Sequence, residues 1–261
     1  MDMCFAASLE NDMGFMRFCW LGLAGVCGIT TMTPATAAEF RVYGGRWDYR
    51  VSGFVDDHGT RTDLNSDLGV GTEHDGFLSL EYEHRPSWLP DLGLNYAQLS
   101  GFGSRTTSGT PIGPITLPTG STRTTASGDF RDLDVAARYA IALGPIRFSP
   151  GVTLKWLKGH VVTRDESSGQ QTDQPYDELF PMVHAQIVWS FGDRLHLSAQ
   201  GNWISRGGDQ AYEYGGSAEL RLLGPLGLYG GWTEKRYKIN GGGFLLDARL
   251  RGPRYGLLVV F

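Results

Sequence analysis

The chain has 261 residues, with 23 Lys and Arg against 28 Asp and Glu for a formal charge of −5. That mildly acidic balance, without a basic stripe, argues against a nucleic-acid partner. Its 37 glycines, 12% aromatic residues and mean hydropathy of −0.21 suit alternating strands, and no stretch after residue 38 is apolar enough to cross a membrane as a helix.

Arg17 precedes an apolar stretch from Phe18 to Met32, followed by the small-residue run Pro34-Ala35-Thr36-Ala37-Ala38. This reads as a signal peptide over residues 1–38, cut after Ala38 or Ala37, ahead of a barrel domain over 39–261. Asp2, Glu10 and Asp12 do not suit a signal n-region, so residues 1–12 read as an extra N-terminal segment, with Met13 or Met16 as the working start. A transmembrane helix over 18–32 is the rival, but that run is short and contains Gly and Thr. Cys4, Cys19 and Cys27 all fall in the segment to be removed, which leaves the mature chain without a disulfide or a thiolate metal site. Lipidation at Cys27 is a second rival, against which Ala24-Gly25-Val26 lacks the Leu of a lipobox.

Ten alternating runs follow in chain order. Trp47, Tyr49 and Val51 alternate with Asp48, Arg50 and Ser52. Leu78, Leu80 and Tyr82 alternate with Ser79, Glu81 and Glu83, and Leu92, Leu94 and Tyr96 with Gly93, Asn95 and Ala97. Leu133, Val135, Ala137, Tyr139 and Ile141 face away from Asp132, Asp134 and Arg138. Val152, Leu154 and Trp156 oppose Thr153 and Lys155; Val183, Ala185, Ile187 and Trp189 oppose His184 and Gln186. Leu195, Leu197 and Ala199 oppose His196, Ser198 and Gln200, and Ala218, Leu220 and Leu222 oppose Ser217, Glu219 and Arg221. Leu226, Leu228 and Trp232 oppose Gly227, Gly231 and Thr233. The segment 244–261 makes the tenth run, with Gly252-Pro253 expected to kink or bulge it.

Each run matches the 9–11 residues that a tilted strand needs to cross a bilayer. The connections alternate between tight turns (87–91, Gly144-Pro145, Gly192-Asp193, Gly224-Pro225) and polar loops that are long (56–75, 104–128, 163–177) or short (206–210, 240–243). Tight turns facing the periplasm and loops facing outside produce that alternation. The length would also suit one soluble all-β domain, and a sandwich would show nearly the same pattern. Aromatic placement separates the two. Trp156, Trp203, Tyr212, Tyr214 and Trp232 fall near outer strand ends, and Trp88, Phe148, Trp189 and Phe191 near inner ends, as two membrane girdles require. The expected fold is therefore an all-β, antiparallel, up-and-down transmembrane β-barrel of ten strands, with eight strands and longer loops as the alternative.

Tyr255, Leu257, Val259 and Phe261 share one face of the last run. A greasy strand ending on an aromatic resembles the assembly signal of outer-membrane barrels. The implied address is the bacterial cell outer membrane. The implied partners are the barrel-assembly machinery, outer-membrane lipid and lipopolysaccharide, around a monomer.

The chain also resembles a group of short Gram-negative outer-membrane barrels from species with the GlyGly-CTERM sorting system. The likeness is carried by Glu83-His84-Arg85-Pro86 with Leu89-Pro90, by Gly201-Asn202-Trp203-Ile204-Ser205-Arg206-Gly207-Gly208, by Leu223-Gly224-Pro225-Leu226-Gly227-Leu228 and by Gly252-Pro253-Arg254-Tyr255-Gly256-Leu257. It covers most of the mature chain and rests on turn and strand-end residues. The resemblance implies a fold and an address, and no activity. The loop at 240–243 is shorter and less acidic than the family's.

Ten ionisable residues are expected to face inward: Glu81, Glu83, Asp132, Asp134, Arg138, Lys155, His184, His196, Glu219 and Arg221. They read either as a pore lining or proton relay, or as a lumen plug of paired charges; the mixed signs favour the plug. Asp56, Asp57 and His58, with Glu73, His74 and Asp75 at the far end of the same loop, are weak candidates for a water-activating site on the outer rim. His160 near Asp165 and Glu166 could extend such a site or hold a divalent metal. Gly69-Val70-Gly71 lacks a following Gly and helix and reads as a flexible loop, and the Ser/Thr/Gly-rich stretch 104–128 as a mobile one. No cofactor or metal motif is present. Three functions stay open: a structural or binding barrel with a filled lumen, a small-solute pore, and a surface hydrolase of the ten-stranded type.

Overall fold

A computed structural model describes residues 38–57, 59–84, 88–108, 121–166, 169, 171–206, 208–241 and 244–261. The signal-peptide reading, His58 and the centre of the 104–128 stretch lie outside the described residues.

Among the described residues there are twelve strands: β1 (Glu39–Asp57), β2 (Thr60–Asp63), β3 (Thr72–Glu83), β4 (Asp91–Ser108), β5 (Ser121–Arg138), β6 (Ile141–Leu143), β7 (Ile146–Asp165), β8 (Gln171–Phe191), β9 (Leu195–Arg206), β10 (Asp209–Leu223), β11 (Leu226–Gly241) and β12 (Phe244–Val260). β2 and β6 are short hairpin pieces paired with β1 and β7. The other ten pair antiparallel with their chain neighbours, and β12 returns to pair with β1, closing the sheet. Closure joins the first and last strands, so the sheet has no terminal edge strand, which is the condition for it to cross hydrocarbon; beyond that zone 171–182 of β8 pair with β7 alone. The ten expected runs are these ten strands, and the alternative of eight is excluded.

The strands are longer than one bilayer crossing. β3 and β9 span 12 residues and β8 spans 21, against the ~10 that the membrane needs. Much of what the sequence suggests is loop (104–108, 121–128, 163–165, 171–177) is strand, because neighbouring chains keep pairing beyond the membrane zone. At the other end the turns are tight. Gly144 and Gly224 supply the left-handed φ of 64° and 56° ahead of Pro145 and Pro225, the backbone that a two-residue hairpin turn demands. The expected continuation of β5 through Tyr139 to Ile141 breaks at Arg138, and Ile141 belongs to β6.

Around the short-turn half, the outward rows are apolar and abut from strand to strand. Val42 lies opposite Val259, Leu257 opposite Leu228, Leu228 opposite Leu220, Leu80 opposite Leu94, Leu94 opposite Val135 and Val135 opposite Leu154. Many of these side chains are exposed, and a continuous apolar belt of this kind belongs against lipid.

In the long half the sense of the alternation inverts. Trp47, Tyr49 and Val51 turn into the lumen, where the sequence pattern expected Asp48, Arg50 and Ser52. Leu99, Leu157, Met182, Ala211, Tyr237 and Leu250 join them in one apolar core, while the alternating Gln98, Lys158, Arg236, Arg249 and Arg251 point out. The period-2 phase carries on unchanged from the lower half into the upper half of the strands, and the one shift in β10 lies at its tight-turn end, between Arg221 and Leu223. What changes is the medium outside: lipid around the lower half, water around the upper half, so the apolar side moves from outside to inside. In β1 the lipid-facing row is Phe40, Val42 and Gly44, below the run that the sequence singled out.

The segment 64–71 folds back into the mouth instead of hanging loose. Leu68 and Val70 are buried, so Gly69-Val70-Gly71 is part of a cap rather than a flexible loop. Asn65 fixes it by donating from Nδ2 to Val51 O at 2.8 Å and to Val70 O at 2.6 Å. Gly252-Pro253 produces no bulge: the register with β11 is unbroken from Leu226↔Val259 to Gly241↔Phe244. Pro253 has no N–H to donate, so only the pairing to β1 lapses, between Trp47↔Arg254 and Arg50↔Arg251.

Candidate functional site: the charged lumen

Below the apolar core, β5 turns Asp132 and Asp134 onto the barrel axis, and β7, β10 and β11 turn Lys155, Glu213 and Lys235 onto it. Asp132 and Lys155 are both 0% exposed. Lys155 Nζ donates to Asp132, lies 2.5 Å from Asp134 and 2.7 Å from Glu213. Lys235 Nζ donates to Asp132 Oδ2 at 2.5 Å and lies 3.2 Å from Glu213. The Tyr237 hydroxyl lies within hydrogen-bond reach of both Glu213 Oε1 (3.0 Å) and Asp132 Oδ2 (3.3 Å). Arg254 stacks its guanidinium 3.9 Å over the Phe77 ring and donates to Asn95 Oδ1 at 3.0 Å. Taken singly these charges would be very costly to bury. Interlocked, the two lysines and three carboxylates each find opposite charge, while Arg254 has the Phe77 face and the Asn95 hydrogen bond in place of a carboxylate.

A second layer sits nearer the tight turns. Arg147 grips Glu83 with both guanidinium nitrogens, and Arg41 Nη1 lies 3.1 Å from the same carboxylate. Arg138 pairs with Glu81 at 3.1 Å, Arg41 Nε donates to Glu39 at 2.6 Å, and Arg221 also pairs with Glu39. Tyr43 donates to Glu219 at 3.1 Å. Between the layers lies a polar cavity of about 90 Å³ bordered by Thr153, His184, Gln186, Asn202 and Glu219. His184 Nδ1 lies 2.7 Å from Asn202 Oδ1, and His196 Nδ1 lies 2.9 Å from Ser190 Oγ.

All ten sequence-predicted inward charges face the lumen, and they divide between these layers. Glu39, Arg41, Arg147, Glu213, Lys235 and Arg254 escaped the sequence reading. Glu213 shares the row of Ser217 and Glu219, and Arg147 that of Thr153 and Lys155, so running the strands further at period two would have found both. Lys235 lies two residues past the last position assigned to its strand. The expected kink at Gly252-Pro253 hid the row that contains Arg254.

Asp132, Asp134 and Glu213 bring carboxylate oxygens within 4.8 Å of one another, a donor set of the hard kind that suits a divalent cation. The ammonium groups of Lys155 and Lys235 already lie between these oxygens and supply the neutralising charge there. The residues present therefore fit two lysines rather than a metal.

The rim candidates do not converge. Asp48 lies opposite His74, and Asp56 is eight residues further along β1, about 26 Å at strand rise. His74 points outward, where Nδ1 lies 2.8 Å from Asp48 Oδ1. Asp75 points the other way, accepting from Tyr49 OH at 2.5 Å and from Ser100 N at 2.6 Å. Asp56 Oδ1 accepts the Gly59 amide at 2.9 Å, and Glu73 accepts the Phe102 amide at 3.0 Å. The side chains of Asp57 and Asp165, with His58, lie outside the described residues. His160 projects outward opposite Asp129, and Glu166 is six residues on, about 20 Å along an extended chain.

The girdle residues project outward: Trp156, Trp203, Tyr212, Tyr214 and Trp232 where the apolar belt gives way to charge, and Phe148, Trp189 and Phe191 toward the tight turns, with Trp88 in a turn. Trp156 donates to Asp177 at 2.6 Å. Tyr255, Leu257, Val259 and Phe261 form one outward row beside β1.

No family model matches the chain, and no curated protein matches it in sequence. Among solved structures it is similar to the outer membrane protease OmpT from Escherichia coli, with a TM-score of 0.58, 9% identity, and 89% of this chain and 99% of that one covered. It also matches the translocator domain of the autotransporter NalP from Neisseria meningitidis (TM-score 0.44, 13% identity, 96% and 99% covered) and Ail from Yersinia pestis (TM-score 0.33, 12% identity, 87% and 100% covered). At such identity the likeness speaks to fold alone: the chain is a ten-stranded β-barrel of the outer-membrane type.

Proposed function

We propose that this outer-membrane barrel is a structural or binding protein with a closed lumen, acting through its outer surface and loops. The observation that carries this reading is the interlocked set Lys155, Lys235, Asp132, Asp134 and Glu213 across the axis, backed on the outer side by the core around Trp47 and Tyr49. Ion pairs of both signs, each engaged with the other, offer a permeating ion no selective path. The apolar core beyond them adds a barrier to any hydrated solute. The cavity of about 90 Å³ has room for a few waters.

A pore is the reading this disfavours, and planar-bilayer recording of the refolded chain tests it. The closed-lumen reading expects no stable ohmic steps; reproducible steps from pure protein would overturn it. A hydrolase draws no support from the geometry, since the described acid and His candidates on the rim are spread over two faces and some 26 Å. The partners that fit are membrane lipid around the belt, outer-leaflet lipopolysaccharide above it, and the assembly machinery that reads the terminal aromatic row.

A further inference from the structure

On the barrel's outer surface, the β1–β12 ladder sets Arg50 directly opposite Arg251. Both side chains are exposed. Like charges opposed in this way, with Cβ atoms about 5 Å apart, destabilise a sheet unless something neutralises them. The neighbouring carboxylates are engaged elsewhere. Glu234 Oε1 accepts from Arg249 Nε at 2.6 Å, and Asp48 Oδ1 from Arg46 Nε at 2.7 Å. Glu234 stands opposite Arg251 on β11 and is electrostatically coupled to it, but it is shared with Arg249, so one carboxylate serves three outward guanidinium groups; among the described residues no closer ion pair joins Arg50 or Arg251 to a carboxylate.

The pair also sits at a definite depth. Arg251 is one outward step beyond Pro253, which lies opposite Trp232, and two beyond Tyr255, so it lies about 7 Å along the strand from the aromatic ring. Trp and Tyr rings mark the headgroup level of a bilayer. Two guanidinium forks just outside that level meet the phosphates of the outer leaflet. Thr72, exposed and opposite Arg50 on β3, adds a hydroxyl.

We propose that Arg50 and Arg251, with Thr72 beside them, form an exterior binding site for the phosphate group on the sugar headgroup of an outer-leaflet glycolipid. The phosphate supplies negative charge beyond the single Glu234 carboxylate that Arg251 shares with Arg249, held by paired N–H donors whose planar geometry matches it. The proposal rests on the barrel's membrane embedding and deepens it by naming the surface that faces the lipid.

The test uses the refolded full chain in neutral detergent, titrated with bisphosphorylated lipid A and followed by native mass spectrometry. The Arg50→Gln/Arg251→Gln variant is expected to bind about tenfold more weakly or worse, the loss of a charge-assisted contact. Arg50→Lys/Arg251→Lys should fall between, keeping charge and losing the forks. Unchanged binding by the Gln pair overturns the site. Equal binding of phosphatidylglycerol overturns it in favour of a generic anionic interface, and displacement of lipid A by equimolar inorganic phosphate in favour of an adventitious free-anion site. Heat-modifiable gel migration of each variant reports barrel closure separately, so unchanged lipid binding by the Gln pair with an intact heat shift removes this site and leaves the closed-barrel reading in place.

Discussion

Phe40 and Phe261 exchange backbone hydrogen bonds across the seam of the barrel: Phe40 N donates to Phe261 O at 3.2 Å, and Phe261 N donates to Phe40 O at 2.9 Å. Their rings lie 6.2 Å apart on the outer surface. The final residue therefore completes the closing ladder as well as ending the aromatic row. Removing Phe261 deletes both bonds and the ring contact, a loss of about 1–3 kcal/mol at the seam. The heat-modifiable fraction in outer-membrane preparations should fall, while transport across the inner membrane proceeds. Full assembly of the truncated chain would remove the seam from the argument.

Lys235→Met leaves Asp132, Asp134 and Glu213 with Lys155 as the one ammonium among them. Breaking a buried charge set by deleting one partner costs about 3–5 kcal/mol. The urea midpoint, followed by fluorescence of Trp47, whose ring lies 5.7 Å from Lys235 Nζ, should drop accordingly. Adding Asp132→Asn should recover part of the loss, because the removed charge again has a removed counterpart. A double variant no better than the single one would show that the charges are not coupled.

Gly103 is where the cap presses on the wall. A Cβ built there would meet Leu68 O at 2.2 Å and Val70 N at 2.7 Å, both backbone atoms. Gly103→Ala should therefore push segment 64–71 out of the mouth. Trypsin cleavage after Arg61 should accelerate while heat-modifiable migration stays unchanged, since the cap lies outside the ladders that close the barrel. Unaltered cleavage would mean that the wall yields instead.

Asp63 sets the pH response of that cap. The backbone N–H of Ser66, and after it that of Asn65, donates to its carboxylate and holds its pKa below the usual range. Asp247 is likewise depressed, first by its hydrogen bonds to Arg236. A depressed folded-state pKa means that the stabilisation is present above the unfolded value of about 3.9 and is lost as pH falls through the folded one. Hydrogen exchange of the Asn65 and Ser66 amides, relative to an Asp63→Asn control, should therefore rise below about pH 4 and stay flat from 5 to 8. A transition near neutral pH would point to another group.

Strand number, chain order and closure were legible in the sequence because alternation at period two survives in every strand and tight turns carry Gly-Pro or Gly-Asp. The inward side of the membrane zone was legible for the same reason: Asp132, Asp134, Lys155 and Glu219 stand out against the apolar residues of a lipid-facing row. The inversion above the aromatic ring was not. Trp47-Asp48-Tyr49-Arg50-Val51 alternates as cleanly as a lipid-facing strand, and nothing local states whether water or lipid lies outside it.

By itself, then, the sequence determined a closed sheet with one apolar and one polar face per strand, since backbone hydrogen bonding and side-chain period are local properties. Only the tertiary structure decided which charges meet. Asp132 and Lys235 are 103 residues apart, and Arg50 and Arg251 are brought together by the closing seam alone. Those pairings depend on register and on strands extending past the bilayer, and both are set by how ten ladders fit around one axis.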